Sequence, residues 1–147
     1  MPNALGHAST RLEFKELALR RLADAKASLE AERWAAAYYL CGYAVECALK
    51  ASICRRRMKG GLFPDRGFAN SVYTHHLDDL VKLADLTVER TNWTMAHPRF
   101  GDRWGVVAGW KEDSRYVVSI SESQARAMYD ALTAPKLGVL TWLKKHW

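Results

Sequence analysis

Hydrophobic positions crowd into one stretch, Trp34 to Cys54 (WAAAYYLCGYAVECALKASIC), whose only charged side chains are Glu46 and Lys50 and which no proline interrupts. A helix apolar on every side is buried nearly all round and needs neighbours on more than one face. Ala37, Leu40, Ala44 and Ala51 form a mostly small face that lets another helix approach closely. Glu46 and Lys50 stand one turn apart in the order that favours a helical ion pair. The stretch ends in Arg55, Arg56, Arg57, Met58 and Lys59, with Gly60 and Gly61 as stop signals.

The rest of the chain is patterned to cover this rod. Phe14, Ala18, Leu22, Ala25 and Leu29 fall on one helical stripe, which predicts an amphipathic helix over about 11–31, capped by Ser9 or Thr10 and followed by a tight connection near Ala31 and Glu32. Residues 60–73 read as a glycine-rich loop. Thr74 is expected to cap a third helix ending near Leu86, with Asp78 and Asp79 in its first turn. From Val88 to Arg115 the pattern is irregular and carries Trp93, Trp104 and Trp110 among glycines and basic residues. Interleaved aromatic and basic residues can bind nucleic acid, but core packing is the favoured role for each tryptophan. Ser121 and Gln124 make a capping box for a last helix, which must kink or restart at Pro135 before Val139, Leu140 and Leu143. These elements predict an all-α protein, an up-and-down bundle of four or five helices around a long buried second helix. Residues 1–10 form a loose arm and 11–147 a single domain.

Charge and cysteine usage narrow the function class. The net charge of +6 and pI near 9.4 suit an anionic partner such as nucleic acid or a nucleotide. The basic cluster with Arg55 and Arg56 reads as a complement to the helix dipole or as a phosphate-binding patch. No signal peptide and no membrane-spanning run are legible, so a cytoplasmic location is expected. Cys41, Cys47 and Cys54 lie on one helix, too far apart for an intrahelical disulfide, and read as core residues of a reducing compartment. His75 and Asp79, one turn apart, make at most two metal ligands, so no metal or other cofactor is expected.

The central segment AYYLCGYAVECALKA, residues 37 to 51, resembles the second helix of HEPN domains, small helical domains often encoded beside nucleotidyltransferases. THHLDDL at 74–80 is similar to that family's His-x-Leu helix start, with His75 at the histidine. SRY at 114–116 resembles its Arg-Tyr element, and residues 125–143 look like its last helix. The resemblance implies a helical bundle, commonly dimeric, that works with nucleotides or RNA. It also implies a metal-independent ribonuclease in members with an arginine and a histidine separated by four to six intervening residues. Here Arg90 and His97 have that form, the histidine moving the proton and the arginine stabilising phosphate charge. Pro98 disfavours helix at His97, and Arg99 stands where some members carry an adenylylated tyrosine. Arg115 and Tyr116 resemble the branch paired with nucleotidyltransferases, although Val117 replaces its usual proline.

Two functions are therefore expected from the resemblance. The first is a nucleotide- or RNA-phosphate-binding module using Arg115, Tyr116, Arg55 and Arg56, working as a homodimer with a nucleotidyltransferase partner in a toxin–antitoxin or stress-defence pair. The alternative is a ribonuclease toxin using Arg90 and His97. Glu46 is either the partner of Lys50 or the group that orients Arg115 or Arg90, because a carboxylate on an apolar helix is costly to bury.

Overall fold

A computed structural model describes residues 6–58, 60 and 73–147. Among these residues the chain is all-α: α1 (Arg11–Glu30), α2 (Trp34–Arg57), α3 (Leu77–Leu83), α4 (Thr87–Ala96), α5 (Pro98–Ala108), a 3-10 helix (Glu112–Tyr116), α6 (Glu122–Thr133) and α7 (Val139–Leu143). α2 is the axis, touched by α1, α3, α6, α7 and the 3-10 helix. From Cys41 to Cys54 every side chain except Tyr43 is buried. The charge-poor stretch thus finds apolar neighbours on all sides.

α1 starts where its sequence allows. Thr10 Oγ1 accepts the Glu13 amide while the Glu13 carboxylate accepts the Thr10 and Ser9 amides, a capping box that satisfies the free N–H groups of the first turn. Phe14, Ala18, Ala25 and Leu29 then point into the core. Glu32, at φ 58°, turns the chain into α2. The two helices run antiparallel: Leu29 clusters with Ala37 at one end, and Phe14 shares a cleft with Cys47 and Lys50 at the other. Of the expected loose arm, Ala8 lies against the core and Gly6 to Ser9 edge that cleft. Residues 1–5 and nearly all of the loop expected over 60–73 lie outside the described residues.

The bundle carries more helices than the four or five expected from the pattern. Thr74 does not cap a helix: its hydroxyl accepts the His76 amide and α3 begins only at Leu77, with Asp85 at φ 57° ending it early. The stretch from Val88 to Arg115 is regular over most of its length, holding α4, α5 and the 3-10 helix. Pro98 sits at the first position of α5, where a missing N–H costs nothing, so the proline that breaks α4 starts α5. Trp110 is buried as expected, whereas Trp93 and Trp104 are half-buried against the core. At Pro135 the last helix stops and restarts. Lys136 has φ 63°, Gly138 leads into α7, and a Cβ at Gly138 would lie 2.5–2.8 Å from backbone atoms of Leu132 and Ala134.

One contact fixes the 3-10 segment against α2. A Cβ at Gly42 would collide with the indole of Trp110, so only glycine lets that ring lie flat on the helix. Replacing Gly42 with Ala should destabilise the protein by about 1–3 kcal/mol by overpacking. Gly105→Ala, at an α5 position with nothing within 4 Å, should stabilise by up to ~1 kcal/mol. Thermal unfolding followed by circular dichroism distinguishes the two; equal effects would show that the Trp110 contact is not the constraint.

Candidate functional site

The two charges that interrupt α2 are both buried, Glu46 at 3% and Lys50 at 7% relative exposure. Lys50 Nζ donates to Glu46 Oε1 at 2.9 Å, as the spacing predicts. The same oxygen meets His75 Nδ1 at 2.8 Å. With Glu46 ionised, Nδ1 must carry a proton, which fixes the imidazole and directs Nε2 away from α2. Nε2 lies 3.5 Å from Glu112 on the 3-10 helix, and Glu112 lies 3.5 Å from Arg115 Nη1. Five side chains of alternating character, Lys50, Glu46, His75, Glu112 and Arg115, thus run from the core to the surface.

This chain of contacts lies beside open space. A cleft of about 700 Å³ is floored by Glu46, Cys47 and Lys50 and walled by Phe14, Tyr43 and Tyr73, with His75 at its rim. His75 also borders a smaller hollow of about 320 Å³, shared with Glu112 and Lys111. Arg115 is exposed, its guanidinium 4.9 Å from the Tyr116 ring. Hydrogen bonding to Tyr116 pushes its pKa up, with weaker support from Tyr39 and Glu112, so it is a permanent cation.

Residues 12–64 match the model of the HEPN domain family. Over this stretch, about a third of its length, the chain is similar to HEPN domains. The matched residues cover α1 from its second position and all of α2, and α3 to α7 lie beyond the match. No curated protein and no solved structure shows significant similarity to the chain. The HEPN match supports a general nucleotide- or RNA-related module. Among the described residues no helix is long and apolar enough to cross a membrane.

The structure distributes the expected site residues unevenly. Arg115 and Glu46 share the charged chain, linked through His75 and Glu112, and Tyr116 stacks beside Arg115. Arg55 and Arg56 lie elsewhere. Arg55 donates to the main-chain oxygens of Lys145 and Trp147, and Arg56 to that of Asp85, with Glu89 at 3.8 Å. Arg90 donates to Asp78 at 2.6 Å and lies over Trp104, whereas His97 stands between α4 and α5 against Trp93, ring centroids 4.1 Å apart. No contact joins Arg90 to His97 among the described residues. They do not share one unbroken helix, because α4 ends at Ala96.

His75 was legible as a family-like histidine and a weak metal ligand, but its bond to Glu46 was not. Their 29-residue separation crosses the loop, and only the sign of their charges hinted at a pairing. Cys41, Cys47 and Cys54 are free and buried. Burial pushes the Cys41 and Cys47 thiols up to about 12 and Cys54 up to about 11, from an ordinary 9.0. Above pH 9 the unfolded chain releases thiol protons that the folded chain keeps, so stability should fall as pH rises past that value. Ellman's reagent at pH 8 should find all three thiols unreactive until denaturant is added; rapid labelling of native Cys47 would contradict its burial.

The buried pair yields a second prediction. Lys50→Ala should cost about 3–5 kcal/mol in denaturant unfolding, since it takes the cation from the buried Glu46 carboxylate and leaves it the His75 bond. Replacing Glu46 and Lys50 together with Met should cost much less. Equal losses would mean that packing, not charge, sets the cost.

Proposed function

We propose that the chain is a nucleotide- or RNA-phosphate-binding module that works as a homodimer with a nucleotidyltransferase partner, in a toxin–antitoxin or stress-defence pair. The observation that carries the binding part is the joining of Glu46, His75, Glu112 and Arg115 into one run of contacts beside a cleft. A buried carboxylate that orients a histidine, linked through Glu112 to an exposed arginine, sets a permanent cation for phosphate beside a fixed polar edge. Tyr116, exposed beside Arg115, supplies a face for stacking. Arg55 and Arg56 extend the positive surface at the far end of α2 but spend donors on main-chain oxygens, which makes them weaker phosphate ligands than Arg115.

Binding of labelled single-stranded RNA and of inorganic pyrophosphate tests this reading. Arg115→Ala should weaken both about 5–20-fold and lower the salt dependence of RNA binding by about one ion. Arg55→Ala should change pyrophosphate binding by less than about twofold. Undiminished pyrophosphate binding in the Arg115 variant overturns the assignment. The alternative ribonuclease on Arg90 and His97 requires wild-type protein to cleave RNA in chelator and His97→Ala to lose that cleavage. The separate engagements of the two residues with Asp78, Trp104 and Trp93 lead us to expect intact RNA with both proteins.

A further inference from the structure

A hollow of about 320 Å³ between α4 and α7 shares no lining residue with the cleft or with the run of charges that ends at Arg115. Trp93 and Trp142 give it an aromatic lining, and Glu89, Lys145 and His146 stand around them. Lys145 is exposed, with Nζ 4.1 Å from the centre of the Trp93 ring, and it meets no carboxylate among the described residues. Beneath it the Trp93 Nε1–H is shielded from solvent and has no hydrogen-bond partner among those residues. A buried donor without an acceptor is costly. The contact of an exposed ammonium with a ring is weak, so Lys145 can turn aside and let an acceptor in.

Charge around the hollow is unbalanced. Burial holds the His146 imidazole below its ordinary 6.5, and Arg56, Arg55 and Lys145 push it the same way against Glu89 alone. Glu89 in turn has Arg56 at 3.8 Å. Three cations against one carboxylate leave room for a single negative charge, whereas a phosphate dianion would meet Glu89 with twice the repulsion. The two indoles suit a flat ring. We propose that this hollow binds a small aromatic monocarboxylate, its carboxylate accepting from Lys145 Nζ and Trp93 Nε1 and its ring lying against the indoles. The site is separate from the one that binds phosphate at Arg115 and stands whether or not that reading does.

Titration of the full chain with benzoate, acetate, inorganic phosphate and benzyl alcohol, followed by NMR of the His146 ring, tests the site. Benzoate should bind about fivefold more tightly than each of the others and should raise the His146 pKa, since a nearby anion favours the protonated imidazole. Lys145→Gln should weaken benzoate about five- to tenfold and leave benzyl alcohol unchanged. Trp93→Phe, which keeps a ring and removes the N–H, should weaken benzoate about threefold, with circular dichroism verifying the fold of both variants. Saturating pyrophosphate should leave benzoate in place, which separates this site from the one at Arg115. Acetate or phosphate binding as tight as that of benzoate overturns the aromatic specificity, and benzyl alcohol binding as tight overturns the role of charge. Undiminished binding by the Trp93 variant overturns the indole donor. Undiminished binding by the Lys145 variant, displacement by pyrophosphate, an unperturbed His146 ring or no benzoate binding at all overturns the site.

Discussion

A carboxylate in the middle of an apolar helix is the constraint on which the rest of the molecule turns. An isolated charge at the position of Glu46 would cost several kcal/mol in lost hydration, so the fold must bring partners to it. Lys50 comes from the same helix one turn on and needs no tertiary arrangement. His75 comes from beyond the loop, and its bond to Glu46 fixes how the chain returns to α2 before α3 begins. Because Thr74 spends its hydroxyl on the His76 amide, α3 starts at Leu77, and His75 stays extended enough to reach the carboxylate. Electrostatic need and local turn chemistry act on the same two residues.

Packing one turn earlier on the same face of α2 serves the same assembly. Gly42 admits the Trp110 ring, and Trp110 lies 6.0 Å from Tyr39 across their centroids. Trp110 lies two residues before the 3-10 segment that carries Glu112 and Arg115, so the depth at which its indole sits on α2 helps set how far those side chains stand from His75. A small residue that permits close approach and, one turn on, a buried charge that demands partners therefore bring the 3-10 segment and His75 to one face of α2. The HEPN match covers α1 and α2, the hairpin that supplies Glu46 and the floor of the cleft. The residues that complete it arrive from outside the match.

What the sequence revealed follows the range of the forces involved. The α2 rod, the stripe of α1, the Glu46–Lys50 pair and the capping box at Ser121 and Gln124 were all legible, because each depends on residues within a turn or two. α4 and α5 were not. Their apolar residues are few, and α4 buries no residue fully, so hydrophobic periodicity had little to act on. Pro98 disfavours helix at His97, as the sequence predicts, but the same ring begins a new helix at the next position. The Glu46–His75 bond spans a loop with no spacing rule, so only a three-dimensional structure could reveal it.

Charge totals, by contrast, say little until partners are assigned. A net charge of +6 suggests a broadly basic surface, yet most of the arginines and lysines that drew attention in the sequence already answer to something within the molecule. Arg90 answers to Asp78 and Trp104, Arg56 to Asp85 and Glu89, Arg55 to the oxygens of Lys145 and Trp147, and Arg126 to Glu122 and Trp34. Such contacts at exposed positions are weak, and a phosphate can compete with them. What distinguishes Arg115 is its neighbour rather than its freedom. Glu112 lies between Arg115 and His75, so an anion that approaches Arg115 meets it beside an imidazole already held by Glu46. A cation held in a fixed arrangement at one place can discriminate among anions in a way that a uniform excess of positive charge over the surface cannot.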